Sequence, residues 1–211
     1  MRMAELQGEY DAVFSLGWNC LVSIQLENNG LRTFSGVIDW MRSDKLSDVN
    51  RLLEKRFADF MLLRNLKIRG PDGSGKNYMV EDELYRIISV HDLPMRLNPG
   101  GNLLSYNDFQ AKLQRRIHRF FYKAATGSRL LFTRLEGTYE EALRLKEILS
   151  GMVAGDFSIL LIRESACTSL IDCDWPDPGI CCVQMPSHDI WNYETNPYWK
   201  QLFQGITVKS D

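Results

Sequence analysis

Residues 129–163 carry the pattern that most narrows the fold. Arg129–Leu135 (RLLFTRL) is a short apolar run of strand type. Thr138 and Glu141 follow at the spacing of a capping box. Ala142, Leu145, Ile148 and Leu149 then recur at helical spacing, in a helix expected to run to about Met152. Phe157–Arg163 (FSILLIR) is a second apolar run. A strand, one helix and a strand in so short a span build a parallel pair, because parallel strands need a crossover.

The same grammar extends in both directions. Asp11–Gly17 (DAVFSLG) reads as a buried strand, with a helix from Cys20 to about Asn28 stopped by Gly30. Leu46–Met61 has an apolar helical face, Tyr85–Val90 reads as a strand ending at His91, and Tyr106–Tyr122 as an amphipathic helix. Gly179–Met185 reads as a last strand, and Trp191–Phe203 as a helix or irregular cover. The glycines and prolines of residues 66–80 predict a flexible loop, and those of Leu93–Gly101 a second one. The expected fold class is α/β: a three-layer sandwich with a mostly parallel central sheet and helices on both faces. No internal repeat is visible, and 1–211 reads as a single domain.

Composition narrows the function. The 211 residues are 45% hydrophobic and 25% charged, with a formal net charge of -2. A disordered chain is excluded, and a nucleic-acid binder working through bulk charge is not expected. No apolar stretch is long enough for a transmembrane helix, and residues 1–10 do not resemble a signal peptide. The expectation is a cytoplasmic protein with no membrane partner, acting on a small molecule or peptide. Five cysteines, an odd number, are then free thiols.

Cys20 is the candidate nucleophile. It stands after a strand and a glycine turn, where a helix begins, and several hydrolases expose a reactive side chain in that way. Helix N-terminal N–H groups favour thiolate and can hold an oxyanion, which makes the N–H groups of residues 20 and 21, with Asn19, the expected donors. Equally, a free cysteine there can simply pack between helix and sheet. A thiol nucleophile needs a base, and the chain has only three histidines. His91 follows a strand, and chemistry gathers at strand carboxyl ends in open α/β sheets. His188 also follows a strand, with Asp189 and Asn192 beside it, and is the alternative base. His118 lies on the polar face of a helix. Asp39, in S-G-V-I-D-W, is a candidate to orient a histidine or to cap a segment.

Other motifs carry less. Gly70–Lys76 (GPDGSGK) satisfies the glycine–lysine spacing of a phosphate loop, but Asn77 stands where Ser or Thr would bind magnesium, so a turn is expected. Cys167, Cys173, Cys181 and Cys182 lack the paired spacing of zinc sites, so neither a metal nor a cofactor is expected. Arg115, Arg116, Arg119 and Lys123 give one helix a basic face, which is either solvated or an anion contact.

The blocks YDAVFSLGWNC (residues 10–20), FSGVIDW (34–40), IISVHD (87–92), RIHRF (116–120), LFTRLEGTYEE (131–141) and VQMP with IWNY (183–193) resemble a bacterial family of unknown function, whose members are described as putative papain-like cysteine peptidases. Val37 departs from that pattern, which often has proline there, and His188 is not a recognised family position. The resemblance implies Cys20 as nucleophile and His91 as its partner. It leads to a thiol hydrolase or acyl transferase acting on an amide, ester or thioester, with Arg116 or Arg119 holding an anionic group. A second reading is a non-catalytic module that binds an anionic or carbohydrate-like ligand through Trp18, Trp40 and the arginines. A third is a fold whose active relative used a hydroxyl nucleophile, with His188 as base.

Overall fold

The computed structural model describes every residue except Thr195, Ser210 and Asp211. In chain order the elements are β1 (Gly8–Tyr10), β2 (Ala12–Ser15), α1 (Leu21–Asn28), β3 (Met41–Arg42), α2 (Leu46–Glu54), β4 (Leu66–Pro71), β5 (Tyr78–Asp82) and β6 (Ile87–Ser89). The chain continues through α3 (Tyr106–Thr126), β7 (Arg129–Leu135), α4 (Tyr139–Ser150), β8 (Asp156–Ser165), β9 (Ile171–Asp172), β10 (Ile180–Pro186), α5 (Ser187–Ile190), α6 (Pro197–Leu202) and β11 (Ile206–Val208).

The fold is α/β with mixed sheets. A five-stranded sheet has the order β2-β7-β8-β10-β9. Its first four strands run parallel, and the edge strand β9 is antiparallel to β10. The expected β-α-β unit is present as β7-α4-β8, and the Thr138 hydroxyl accepts from the Glu141 amide as the capping box requires. Successive side chains of a strand point to opposite faces, and here both faces are buried. Phe14, Phe132, Ile159, Leu161 and Cys182 join a core with residues of α2, α3 and α4. Val13, Leu131, Leu160, Cys181 and Val183 join a second core with residues of α1 and α6. In the first core Phe14 stacks on Phe132 at 5.3 Å and meets Phe120 edge-on at 5.2 Å.

Three expectations need correction. The central sheet is mixed rather than mostly parallel, because β9 joins its edge antiparallel, and residues 41–89 build a separate antiparallel sheet of order β3-β6-β5-β4. The flexible loop expected at 66–80 is largely the β4–β5 hairpin of that sheet. Leu66 and Ile68 are half-buried between exposed Lys67 and Arg69, so L-K-I-R is a one-faced strand. The helix from Leu46 stops at Glu54, and Arg56, Phe57, Asp59 and Met61 take left-handed backbone that turns Phe57, Phe60 and Met61 into the core.

Thr138→Ala removes the cap of α4 and is expected to cost about 1 kcal/mol. A lower urea midpoint at unchanged slope would show it.

Candidate active site

The site is built where β2 leaves the parallel strands. The Leu16 amide still bonds to Thr133 O at 2.8 Å, and then the chain reverses. Gly17 and Trp18 are both left-handed, at φ 80° and 82°. An aromatic residue pays a steric cost there and stays only when its surroundings hold it. The Trp18 carbonyl accepts from the Ser43 amide at 2.8 Å, its amide reaches Ser43 Oγ at 3.4 Å, and its indole meets Trp191 at 4.9 Å. Asn19 Oδ1 accepts from the Leu21 amide at 2.8 Å, which starts α1 with Cys20 at the cap position. The expected sequence of strand, sharp turn, cysteine and helix is present.

A buried arginine fixes the turn. Arg134 on β7 has no solvent exposure. Its guanidinium donates to Leu16 O (2.9 Å), Ser43 Oγ (2.7 Å), Ser43 O (2.6 Å) and Glu136 O (3.2 Å). Burial pushes its pKa down to about 9, so it stays charged at neutral pH. A Cβ on Gly17 would stand 2.9 Å from Ser43 Oγ, inside this cluster.

The Cys20 thiol is half-buried, and burial pushes its pKa up, against the helix-terminus expectation. Desolvation of the thiolate is the larger effect, and a hydrogen bond from its own backbone amide only partly opposes it. Tyr193 lies close, near enough for a Cys20 charge to raise the phenol pKa after burial has done so, and Asn19 Nδ2 reaches its hydroxyl at 3.4 Å. The Leu21 amide, expected as an oxyanion donor, is taken by Asn19. Beside the thiol stand the Cys20 amide itself and, on the neighbouring residue, Asn19 Nδ2.

Among the described residues no hydrogen bond joins Cys20 to a histidine. His91 is exposed and follows β6, so it leaves a strand of the antiparallel sheet rather than the parallel one. Its ring meets Trp40 edge-on at 6.0 Å, and Nδ1 lies 3.8 Å from Asp72 Oδ2. Asp72 is buried and organises the 72–77 turn. It accepts from Ser74 Oγ, from the Lys76 and Asn77 amides, and from Asn77 Nδ2, and these bonds hold its carboxyl well below the usual range. The phosphate-loop spacing is thus a strand-to-strand turn. Asp39 is buried and sits elsewhere, accepting from the Gly36 amide (2.7 Å) and Arg32 Nε (3.1 Å). Burial pushes its pKa up. Arg32 in turn lies 5.0 Å over the Trp40 ring, which places Asp39 behind His91 with Arg32 and Trp40 between them.

His188 is exposed on α5, with Nε2 2.7 Å from Asp189 Oδ2. Arg116 is buried and, with Lys112, neutralises Asp92. Arg119 donates to Ser35 O, lies over Phe34, and lines a groove of about 660 Å³ with Arg115, exposed His118 and Tyr122. Among the described residues no group of three or more His, Cys, Asp or Glu could hold a metal, and no helix is long and apolar enough to cross a membrane.

A family model described as "Putative papain-like cysteine peptidase (DUF1796)" matches residues 11–166. The chain belongs to that family. The matched span includes Cys20, Asp39, Asp72 and His91 and stops before His188. An uncharacterized protein, R408, of Acanthamoeba polyphaga mimivirus is 25% identical over 173 residues, covering 72% of this chain and 76% of its own. That relative is viral, so the expected bacterial kinship is not what the comparison returns. No solved structure matches the chain.

Sequence reading missed Asp72, Arg134, Arg32 and Tyr193. Two had a signal: an arginine inside an apolar strand run, and an aspartate opening D-G-S-G, a side-chain-bonded turn.

Two outcomes follow. Gly17→Ala forces a Cβ into left-handed backbone against Ser43 and is expected to destabilise by about 1–3 kcal/mol, read by denaturant unfolding. In the free protein, Cys20 alkylation by iodoacetamide should rise with a midpoint above the free-thiol value of about 8.5, because burial favours the protonated form. Peptide mass spectrometry against pH checks it.

Proposed function

We propose that the chain is a thiol hydrolase or acyl transferase, with Cys20 attacking the carbonyl carbon of an amide, ester or thioester in a small molecule or peptide. The observation that carries this reading is the place of Cys20: half-exposed at the start of α1, on a left-handed turn held from both sides. Membership of a cysteine-peptidase-type family supports the same coarse chemistry.

The raised thiol pKa sets the order of events. Cys20 rests as a thiol, so its proton leaves as the S–C bond forms rather than beforehand. In this reading His91 accepts that proton. Its Nδ1 faces the Asp72 carboxylate and leaves Nε2 for the reaction, whereas Nε2 of His188 is already engaged by Asp189. The carbonyl π pair moves to oxygen, where the Cys20 amide and Asn19 Nδ2 donate. Collapse expels the leaving group, which takes the proton from His91, and water or an acceptor then clears the acyl-thioester. Asp39 is a positioning residue in this scheme, acting through Arg32 and Trp40. Trp18 and Trp40 offer apolar walls, and Arg119 an anion contact.

The protonated thiol also favours a second reading, a non-covalent crevice for an anionic or carbohydrate-like ligand beside Trp18 and Trp40. Adduct formation separates the two.

The test is to incubate the protein with acyl thioesters and p-nitrophenyl esters, following leaving-group release and intact mass. The expected result is an acyl adduct on Cys20, lost in Cys20→Ala. His91→Ala should slow turnover about 10²–10⁴-fold, and His188→Ala should leave it unchanged. The reverse pattern moves the base to His188. No adduct at Cys20 with any probe overturns the enzyme reading and leaves the binding crevice.

A further inference from the structure

Two cysteines beyond the family-matched span lie together at the edge of the five-stranded sheet. Asp172 pairs with Val183 and Ile171 with Gln184 across β9 and β10, so Cys173 and Cys182 occupy the next cross-strand position. The Cys173 amide donates to Cys182 O at 2.8 Å, and the two sulfurs are themselves 2.8 Å apart. Directly opposed residues of an antiparallel pair have Cα atoms about 4.5–5.5 Å apart, within the range a disulfide spans. Cys181 is excluded from the pair because its side chain points to the other face, where Sγ lies 3.9 Å from Asp172 Oδ1. Cys182 is buried and Cys173 half-exposed, so only one of the two sulfurs is open to a reagent from solvent.

We propose that Cys173 and Cys182 form a redox-active dithiol, which a peroxide converts to an intramolecular disulfide. The Cys173 sulfur, as thiolate, attacks one peroxide oxygen. The O–O bond breaks, the departing hydroxide takes the former thiol proton and leaves as water, and Cys173 becomes a sulfenic acid. The Cys182 sulfur then attacks the sulfenyl sulfur. The S–O bond breaks, and hydroxide leaves with the Cys182 proton as a second water. Two thiols are oxidised by two electrons, and one peroxide is reduced to two waters. The bond closes residues 174–181 into a loop and pins Trp175, which meets Tyr139 at the start of α4 at 5.0 Å.

The test treats the native full chain with stoichiometric hydrogen peroxide, alkylates in denaturant with iodoacetamide, digests, and maps by mass spectrometry. Expected is one cross-linked peptide pair containing Cys173 and Cys182, two hydrogens lighter than the reduced pair, with alkylation lost at both positions and restored by dithiothreitol. In Cys173→Ser, Cys182 should stay fully alkylatable. The proposal is overturned if both cysteines remain alkylatable while Cys20 or Cys167 oxidises, or if Cys173 accumulates as sulfinic acid without a cross-link.

Discussion

The buried guanidinium of Arg134 is the fixture on which the turn before Cys20 stands. Taking a charge out of water costs several kcal/mol unless its donors are met. Here they are met by the carbonyls of Leu16, Ser43 and Glu136 and by the Ser43 hydroxyl. Those acceptors come from three places: the end of β2, the chain just after β3, and the chain just after β7. The parallel strands and the antiparallel sheet are thereby tied at one point, and Ser43 passes the restraint on to both sides of the Trp18 peptide unit. A left-handed tryptophan is tolerable because this cluster leaves it no alternative.

Where the sequence was legible, it was legible through period. The β7-α4-β8 unit has apolar strands buried on both faces, and a helix whose apolar positions recur every three or four residues, so pattern and fold coincide. The antiparallel sheet was harder because its strands are short and interrupted. L-K-I-R alternates as a strand should, but the glycines and the proline beside it outweigh two half-buried positions. The helix from Leu46 overran because Phe57 and Phe60 extend its apolar spacing, while the backbone reaches the same core by left-handed turns. Spacing says that a side chain goes inward, not by which path.

The site divides in the same way. Strand, glycine turn and cysteine are local and could be read. The environment of the thiol could not, because Trp191 and Tyr193 arrive from more than 170 positions away. Burial raises the thiol pKa, where the helix terminus alone predicts the opposite. His91 is legible from its place after a strand, whereas its carboxylate neighbour Asp72 lies in a turn whose glycine and lysine spacing mimics a phosphate loop. Asp39 touches neither His91 nor His188 and is held by Arg32 and the Gly36 amide, so any effect on His91 passes through Arg32 and Trp40.

The first and last strands form a small parallel pair of their own, Gly8 with Ile206 and Tyr10 with Val208. Tyr10 and Leu6 are buried in the same core as Trp199 and Ile206. On a ribosome that pairing must wait until β11 has emerged, long after β1. Until then the segment around β1 keeps its apolar face uncovered. Closing so long a loop is slow, and a nascent chain in that state presents an unpaired edge to chaperones and to its neighbours.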